Sequence, residues 1–226
     1  MAFPKMISSS LSKSMRINKS MKFYLSSYKL GNEVEKLKKL IPYNKIGYIP
    51  NARDYPGVDL EKKKESINRD VSSLQELGLN VEVVDLRDYF NKRDDLEKKL
   101  NELGAIFISG GNVFILRQAM KLSGLDWILE KFKNKDNFLY AGYSAAGCVL
   151  APILKPYEIV DDATALPYEE LKNVILEGLG FVDFTFMPHF DSDHPESEAI
   201  GKEIEFCKKN NIEYRAIRDG EVIIIE

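Results

Sequence analysis

Three short stretches of this 226-residue sequence hold residue types suited to nucleophilic chemistry. The first is Tyr140-Ala141-Gly142-Tyr143-Ser144-Ala145-Ala146-Gly147-Cys148, set between two apolar runs. A serine at a tight strand-to-helix turn has its hydroxyl presented at the end of the sheet. Its neighbours must be small, because the turn brings strand and helix backbones together. The pattern G-x-S-x-G is met except at its last position, where Ala146 stands and Gly147 follows. The second stretch is Ile108-Ser109-Gly110-Gly111-Asn112. A double glycine at a strand's carboxyl end lets backbone amides face a cleft. The amides of Gly111 and Ala145 are the expected oxyanion donors, each worth about 3–4 kcal/mol in a transition state.

The third stretch is Met187-Pro188-His189-Phe190-Asp191-Ser192-Asp193-His194. A serine nucleophile needs a base that titrates near neutral pH, and histidine is the natural one. The chain has only two. His189 directly follows an apolar run that reads as a strand, so the sheet would position it. His194 lies in an acidic stretch before Pro195 and reads as a surface or helix-entry residue. His189 is therefore the expected base. The acid that orients it is left open by the residues alone. Glu158, Asp161, Asp162, Glu169, Glu170, Glu177 and Asp183 all lie between Ser144 and His189.

Other chemistries find less support. The phosphate-cradling patterns G-x-x-x-x-G-K-[ST] and G-x-G-x-x-G are absent from the sequence. Two cysteines and two histidines, with no C-x-x-C, offer little for a structural zinc site. No metal and no cofactor is expected.

Elements able to position these residues are legible in the pattern. Strands are predicted at residues 22–26, 45–49, 81–85, 105–108 and 138–141. Between them lie helical patterns at 31–41, 60–79 and 94–103, with further helices from Asn112 to about Leu122 and at 127–132. Asn112 reads as a helix cap. This alternation predicts an α/β fold with a mostly parallel sheet covered on both faces. Later strands are predicted at 181–187, 213–217 and 221–225. Asp219-Gly220 between the last two signals a hairpin and an antiparallel edge.

Residues 1–20 hold four basic residues and no acid, and include Ser8-Ser9-Ser10. They read as a disordered extension, or as a start assigned too early with Met15 or Met21 the true beginning. A transit segment is the other reading. Residues 21–226 read as one domain. Lys and Arg total 32 against 35 Asp and Glu, a net charge of −3, which argues against a general nucleic-acid binder. No apolar run approaches the roughly 20 residues of a membrane span. Two cysteines suit a reducing, cytoplasmic setting.

The set Ser109-Gly110-Gly111-Asn112, Gly142-Tyr143-Ser144-Ala145 and Pro188-His189-Phe190-Asp191 resembles the dipeptidase E (alpha-aspartyl dipeptidase) family of serine peptidases, to which cyanophycinase is related. The resemblance runs from about Met21 to the C-terminus. It implies a class I glutamine amidotransferase-like fold, a three-layer sandwich with serine on the elbow. It also implies a Ser-His-Glu/Asp triad acting on short peptides, with Ser144 as nucleophile and His189 as base. The family acid lies fourteen or fifteen residues after the serine, which points to Glu158, with Asp161 next. Gly110, Gly111 and Asn112 resemble the oxyanion and substrate-binding loop, with Asn112 near the bound peptide's N-terminal residue. Asp219 resembles a family acid that helps bind substrate through its amino group.

Residues 195–208 carry lysines and several glutamates but no arginine, so strict preference for an N-terminal Asp is not expected. The expected partner is a small peptide, not nucleic acid or membrane, and the expected state is a monomer or homodimer. The alternatives are a hydrolase of the same fold acting on another amide, an ester or a cyanophycin-like polymer, and a non-enzymatic binding protein, which Ala146 would favour.

Overall fold

The protein is described by a computed structural model over residues 20–226. The expectations for residues 1–19 lie outside the described residues. Five strands follow the predicted alternation: β1 (Lys22–Ser26), β2 (Lys45–Ile49), β3 (Asn80–Val83), β4 (Ala105–Ile108) and β5 (Leu139–Tyr143). They pair in the order β3-β2-β4-β5-β1, every neighbour parallel. A sixth strand, β8 (Val222–Ile225), closes this sheet by pairing antiparallel with β1.

Alternating side chains feed two apolar layers, as a period of two requires. Tyr24, Phe107, Leu139 and Ala141 pack on one face with Leu37 of α1 (Val34–Leu40) and Leu74 of α2 (Leu60–Glu76). Leu25, Ile106, Ile108 and Tyr140 pack on the other. Their partners come from α3 (Arg93–Leu103), α4 (Val113–Ser123) and α5 (Leu125–Phe132). The result is the three-layer α/β sandwich expected.

Asn112 caps α4 as predicted. Its side-chain oxygen accepts from the Phe114 and Ile115 amides at 2.9 and 3.0 Å. Asp59 caps α2 in the same way.

The second half of the chain departs from two local expectations. The strand expected at 181–187 is only β6 (Thr185–Met187). The Phe181 and Val182 amides donate instead to the Leu150 carbonyl, which holds that stretch away from any ladder. The expected hairpin around Asp219-Gly220 is also not formed. β7 (Tyr214–Ala216) pairs parallel with β6 in a separate two-stranded sheet, while β8 pairs with β1. The turn itself is present, with the Glu221 amide donating to the Arg218 carbonyl and Gly220 at φ +95°. It is a corner between two sheets. The half-buried Val222, Ile223, Ile224 and Ile225 cover the edge of β1 rather than facing β7.

Candidate active site

β5 ends at Tyr143 and α6 (Ala145–Cys148) begins two residues later, leaving Ser144 alone in the turn. Ser144 has φ 49° and ψ −110°, a conformation that typically costs about 1–3 kcal/mol and persists only where its surroundings over-determine it. Here they do. The Ser144 amide donates to the Ser26 carbonyl at 3.1 Å. The Ser144 carbonyl accepts from Gly147 and Cys148 at 2.8 and 3.1 Å.

Glycine is required at 142, where a Cβ would lie 2.5 Å from the Ala146 methyl and 2.5 Å from the Ile108 carbonyl oxygen. The alanine at 146 is fully buried and tolerated, and its carbonyl accepts from the Tyr140 hydroxyl at 2.8 Å. The elbow therefore forms without the usual second glycine. The apolar stretch after the serine stays helical only through Cys148. Cys148 is buried, as expected of a packing residue.

Gly110 and Gly111 follow β4 and lie across from the elbow. A Cβ on Gly110 would meet the Tyr143 ring at 2.6 Å. Gly111 has φ +142°, and a Cβ there would sit 2.3 Å from the Ala52 carbonyl oxygen. Asn112 does not turn toward the cleft. Besides capping α4, it donates to the Asp162 carbonyl at 3.0 Å, and it is buried. Its place is structural, because cap and anchor together use both ends of its amide.

His189 follows β6 at φ 59° and is 2 % exposed. Its backbone amide donates to Ser27 Oγ at 2.8 Å, and Ser27 Oγ donates to Asp219 Oδ1 at 2.8 Å. The same carboxylate oxygen lies 2.7 Å from His189 Nδ1. A carboxylate only accepts, so Nδ1 carries the proton and Nε2 keeps its lone pair. Burial pulls the imidazole pKa below its usual 6.5, opposed by the hydrogen bond to Asp219 and aided by nearby His194. His189 is thus neutral at pH 7, as a base must be.

Glu158 is not at this ring. It sits on a short 3-10 helix, Lys155–Ile159, where it is paired with Lys155. Asp161 is half-buried at the start of α4, accepting from the Val113 amide at 2.8 Å. The fourteen-residue spacing fails because that 3-10 turn carries Glu158 out against its own neighbour. The partner of His189 lies beyond the histidine in sequence. It is brought back because β8 runs along β1, whose end supplies Ser27. The Ser27 amide donates to the Glu221 carbonyl at 3.1 Å, which ties the two together.

Ser144, His189, Gly110 and Gly111 line one cleft of about 400 Å³. Its outer wall is basic, with Lys29, Arg53, Lys62, Lys63 and Arg69 against Asp70 and Glu196. Three of these cations have acid partners: Lys63 with Asp54, Arg53 with Asp70 at 2.9 Å, and Lys62 with Asp59 at 3.8 Å. Arg69 has no ion pair among the described residues, and it is exposed. Asp70 also accepts from the hydroxyls of Tyr48 and Tyr143 at 2.7 and 2.8 Å, locking α2 to the end of β5 beside the nucleophile. The sequence reading passed over this group. Its signal was an acid at 70 inside the apolar stripe of Ile67, Val71 and Leu74.

His194 is in the cleft rather than on the surface. Its ring stacks on His189 with centroids 3.7 Å apart and planes 12° apart, and Tyr28 meets both rings edge-on. Among the described residues, ligand atoms of His189, His194 and Glu196 lie within 4.8 Å of one another. No helix among the described residues is long and apolar enough to cross a membrane.

The sequence model of Peptidase family S51 matches residues 26–226. An uncharacterised peptidase of Listeria monocytogenes, Lmo0363, is 29% identical over 169 residues, covering 74% of this chain and 76% of that protein. Peptidase E of Streptomyces coelicolor is 29% identical over 148 residues, covering 63% of this chain and 57% of its own length. Among solved structures, a candidate peptidase E protein from Listeria monocytogenes EGD-e superimposes with a TM-score of 0.70. It is 23% identical, over 91% of this chain and 94% of the other.

Proposed function

The chain belongs to peptidase family S51 and is a serine-type peptidase; from that premise we propose that it hydrolyses short peptides with Ser144 as nucleophile, His189 as base and Asp219 as the acid that orients the base. The observation that carries this reading is the 2.7 Å contact between Asp219 Oδ1 and His189 Nδ1, on a ring that shares its cleft with the strained Ser144.

The Ser144 hydroxyl oxygen attacks the scissile carbonyl carbon, and His189 Nε2 takes its proton. The amides of Gly111 and Ala145 receive the developing oxyanion. As the C–N bond breaks, the imidazolium gives its proton to the leaving amine. Water then attacks the acyl-enzyme. His189 accepts the water's proton and returns it to Ser144. Asp219 holds the tautomer throughout and stabilises the imidazolium.

Short peptides are favoured by the basic outer wall. A free C-terminal carboxylate one residue beyond the scissile bond would meet Lys29, Lys62 or Arg69. A cytoplasmic setting goes with this reading, and Cys148 and Cys207 are both free and buried.

A fluorophosphonate probe tests the nucleophile. It should label the wild-type protein and not Ser144→Ala. Labelling that survives the substitution removes Ser144 from its role. A panel of Asp-X, neutral and β-linked dipeptides beside simple esters tests the substrate class. Ester turnover without peptide turnover would replace the peptide reading with a different hydrolase.

A further inference from the structure

The mechanism above uses one imidazole, yet a second imidazole and a carboxylate stand beside it. His189, His194 and Glu196 follow the pattern H-x-x-x-x-H-x-E. Among the described residues they offer three ligand atoms within 4.8 Å of one another. They come from the turns at 188–196, between β6 and α7 (Ser197–Lys209), and all three line the cleft with Ser144.

Each nitrogen has a lone pair to give. Asp219 holds the Nδ1 side of His189 at 2.7 Å, so Nε2 is the free nitrogen. A carboxylate on the far nitrogen is the support that orients histidines bound to metals. His194 Nδ1 accepts from the Glu196 backbone amide at 3.3 Å, so this nitrogen carries no proton. It also lies 3.9 Å from Glu196 Oε2.

We propose that His189, His194 and Glu196 form an inhibitory zinc site, in which the ion takes the His189 lone pair that otherwise accepts the proton of Ser144. The inhibitory half rests on the peptidase reading proposed above; the binding half does not.

The donor set selects the ion. Two imidazoles and one carboxylate suit zinc and leave a fourth position for water. Magnesium and calcium take oxygen ligands and have no use for the two nitrogens. Zinc also has no geometric preference from its d electrons, so it tolerates an improvised site. With metal–ligand distances of about 2.0–2.2 Å, tetrahedral ligand atoms stand roughly 3.3–3.5 Å apart, so the set must contract slightly. His189 is held, at 2 % exposure. The movement falls to His194 and Glu196, whose side chains are 21% and 45% exposed. Rotating His194 out of its stack aims both imidazole lone pairs at one point. Lys29, Arg53 and Arg69 line the same cleft and repel a dication. The site is therefore built for reversible capture rather than for a permanent ion.

Zinc chloride is titrated calorimetrically into wild type and into His194→Ala, Glu196→Gln and Asp219→Asn, in a buffer that does not chelate. Cobalt(II) replaces zinc in a parallel titration, read by its visible absorption. One equivalent should bind to wild type. Asp219→Asn should weaken binding about 10–100-fold, and loss of a ligand in His194→Ala or Glu196→Gln by at least as much. The two ligand variants keep the test open if one fails to fold. Magnesium and calcium should not compete. The site is overturned if zinc does not bind, or if its affinity is the same in wild type and both ligand variants.

Turnover of one dipeptide is read alongside. Saturating zinc should lower it about 10²-fold or more, as loss of the base would, and EDTA should restore it. In His194→Ala the same zinc concentration should inhibit far less. Binding at these residues without inhibition would overturn the inhibitory role and remove His189 as the base. Turnover with no zinc binding would overturn the site and leave the peptidase reading standing.

Discussion

Asp219 stands thirty positions after His189 in the chain, and its Oδ1 lies 2.7 Å from the imidazole Nδ1. The same oxygen accepts from Ser27 Oγ, which in turn holds the His189 backbone amide. Ring and main chain are thus fixed from one carboxylate. This arrangement matters because a base that can rotate, or that carries its proton on the wrong nitrogen, cannot accept from Ser144.

Asp219→Asn should lower kcat by about 10²–10⁴-fold with little change in KM, since the amide can no longer hold the Nδ1–H tautomer. Glu158→Gln should leave kcat within about threefold, because its partner is a surface lysine. Steady-state kinetics on one dipeptide decide between them. The reverse order would restore the acid expected from sequence spacing.

The pH dependence follows from His189. Its pKa is depressed, so the deprotonated, active form persists below pH 6.5, and the acid limb of kcat/KM should fall there. His194 helps to lower it. Replacing His194 with Ala removes the repulsion and should move the limb upward while most turnover remains. His189→Ala should abolish turnover, by about 10²–10⁴-fold. A pH–rate profile for each variant reads both effects.

Ala146→Gly should keep activity within a few-fold, because the elbow already forms around the larger residue. Gly142→Ala should not be tolerated. Its methyl would collide with Ala146 and with the Ile108 carbonyl, and overpacking of this kind costs about 1–3 kcal/mol. Thermal unfolding and probe labelling of the two proteins check this. Full rescue of Gly142→Ala by Ala146→Gly is not expected, since the clash with Ile108 is with backbone.

Arg69→Gln and Lys62→Gln should raise KM by about 2–5-fold for peptides with a free C-terminus, the range of exposed ion pairs. They should leave C-terminally amidated peptides unchanged. Adding salt should reduce the difference. Equal effects on both substrates would show that these side chains do not meet the carboxylate.

Stability also depends on Glu203. Its folded pKa, about 9, lies above the usual 4.5. The native state therefore keeps a proton that the unfolded chain loses as pH rises. The associated stability is whole below about pH 4.5 and declines through pH 9. Glu203→Gln carries no such proton. Its melting temperature should exceed that of wild type at pH 8 by more than at pH 5.

Much of the layout was determined by the sequence alone, because it depends on local periodicity. The run at Ala105–Ile108 ends at a double glycine, and that marks both a buried strand and the loop after it. Ser144 was identifiable because Gly142, Ala145, Ala146 and Gly147 surround it after an apolar run, and His189 because the chain has so few histidines. Asn112 was legible as a cap, but not that capping would use its whole side chain. The tertiary structure alone decided what stands next to what. The acid beside His189 depends on β8 choosing β1 over β7, a pairing set by which edge needs apolar cover. Glu203, an ordinary helical glutamate in the one-dimensional pattern, became an unpartnered acid only when α7 was laid over the back of the serine. Spacing along a chain reports local conformation; the partner of a side chain is fixed by packing between elements far apart in sequence.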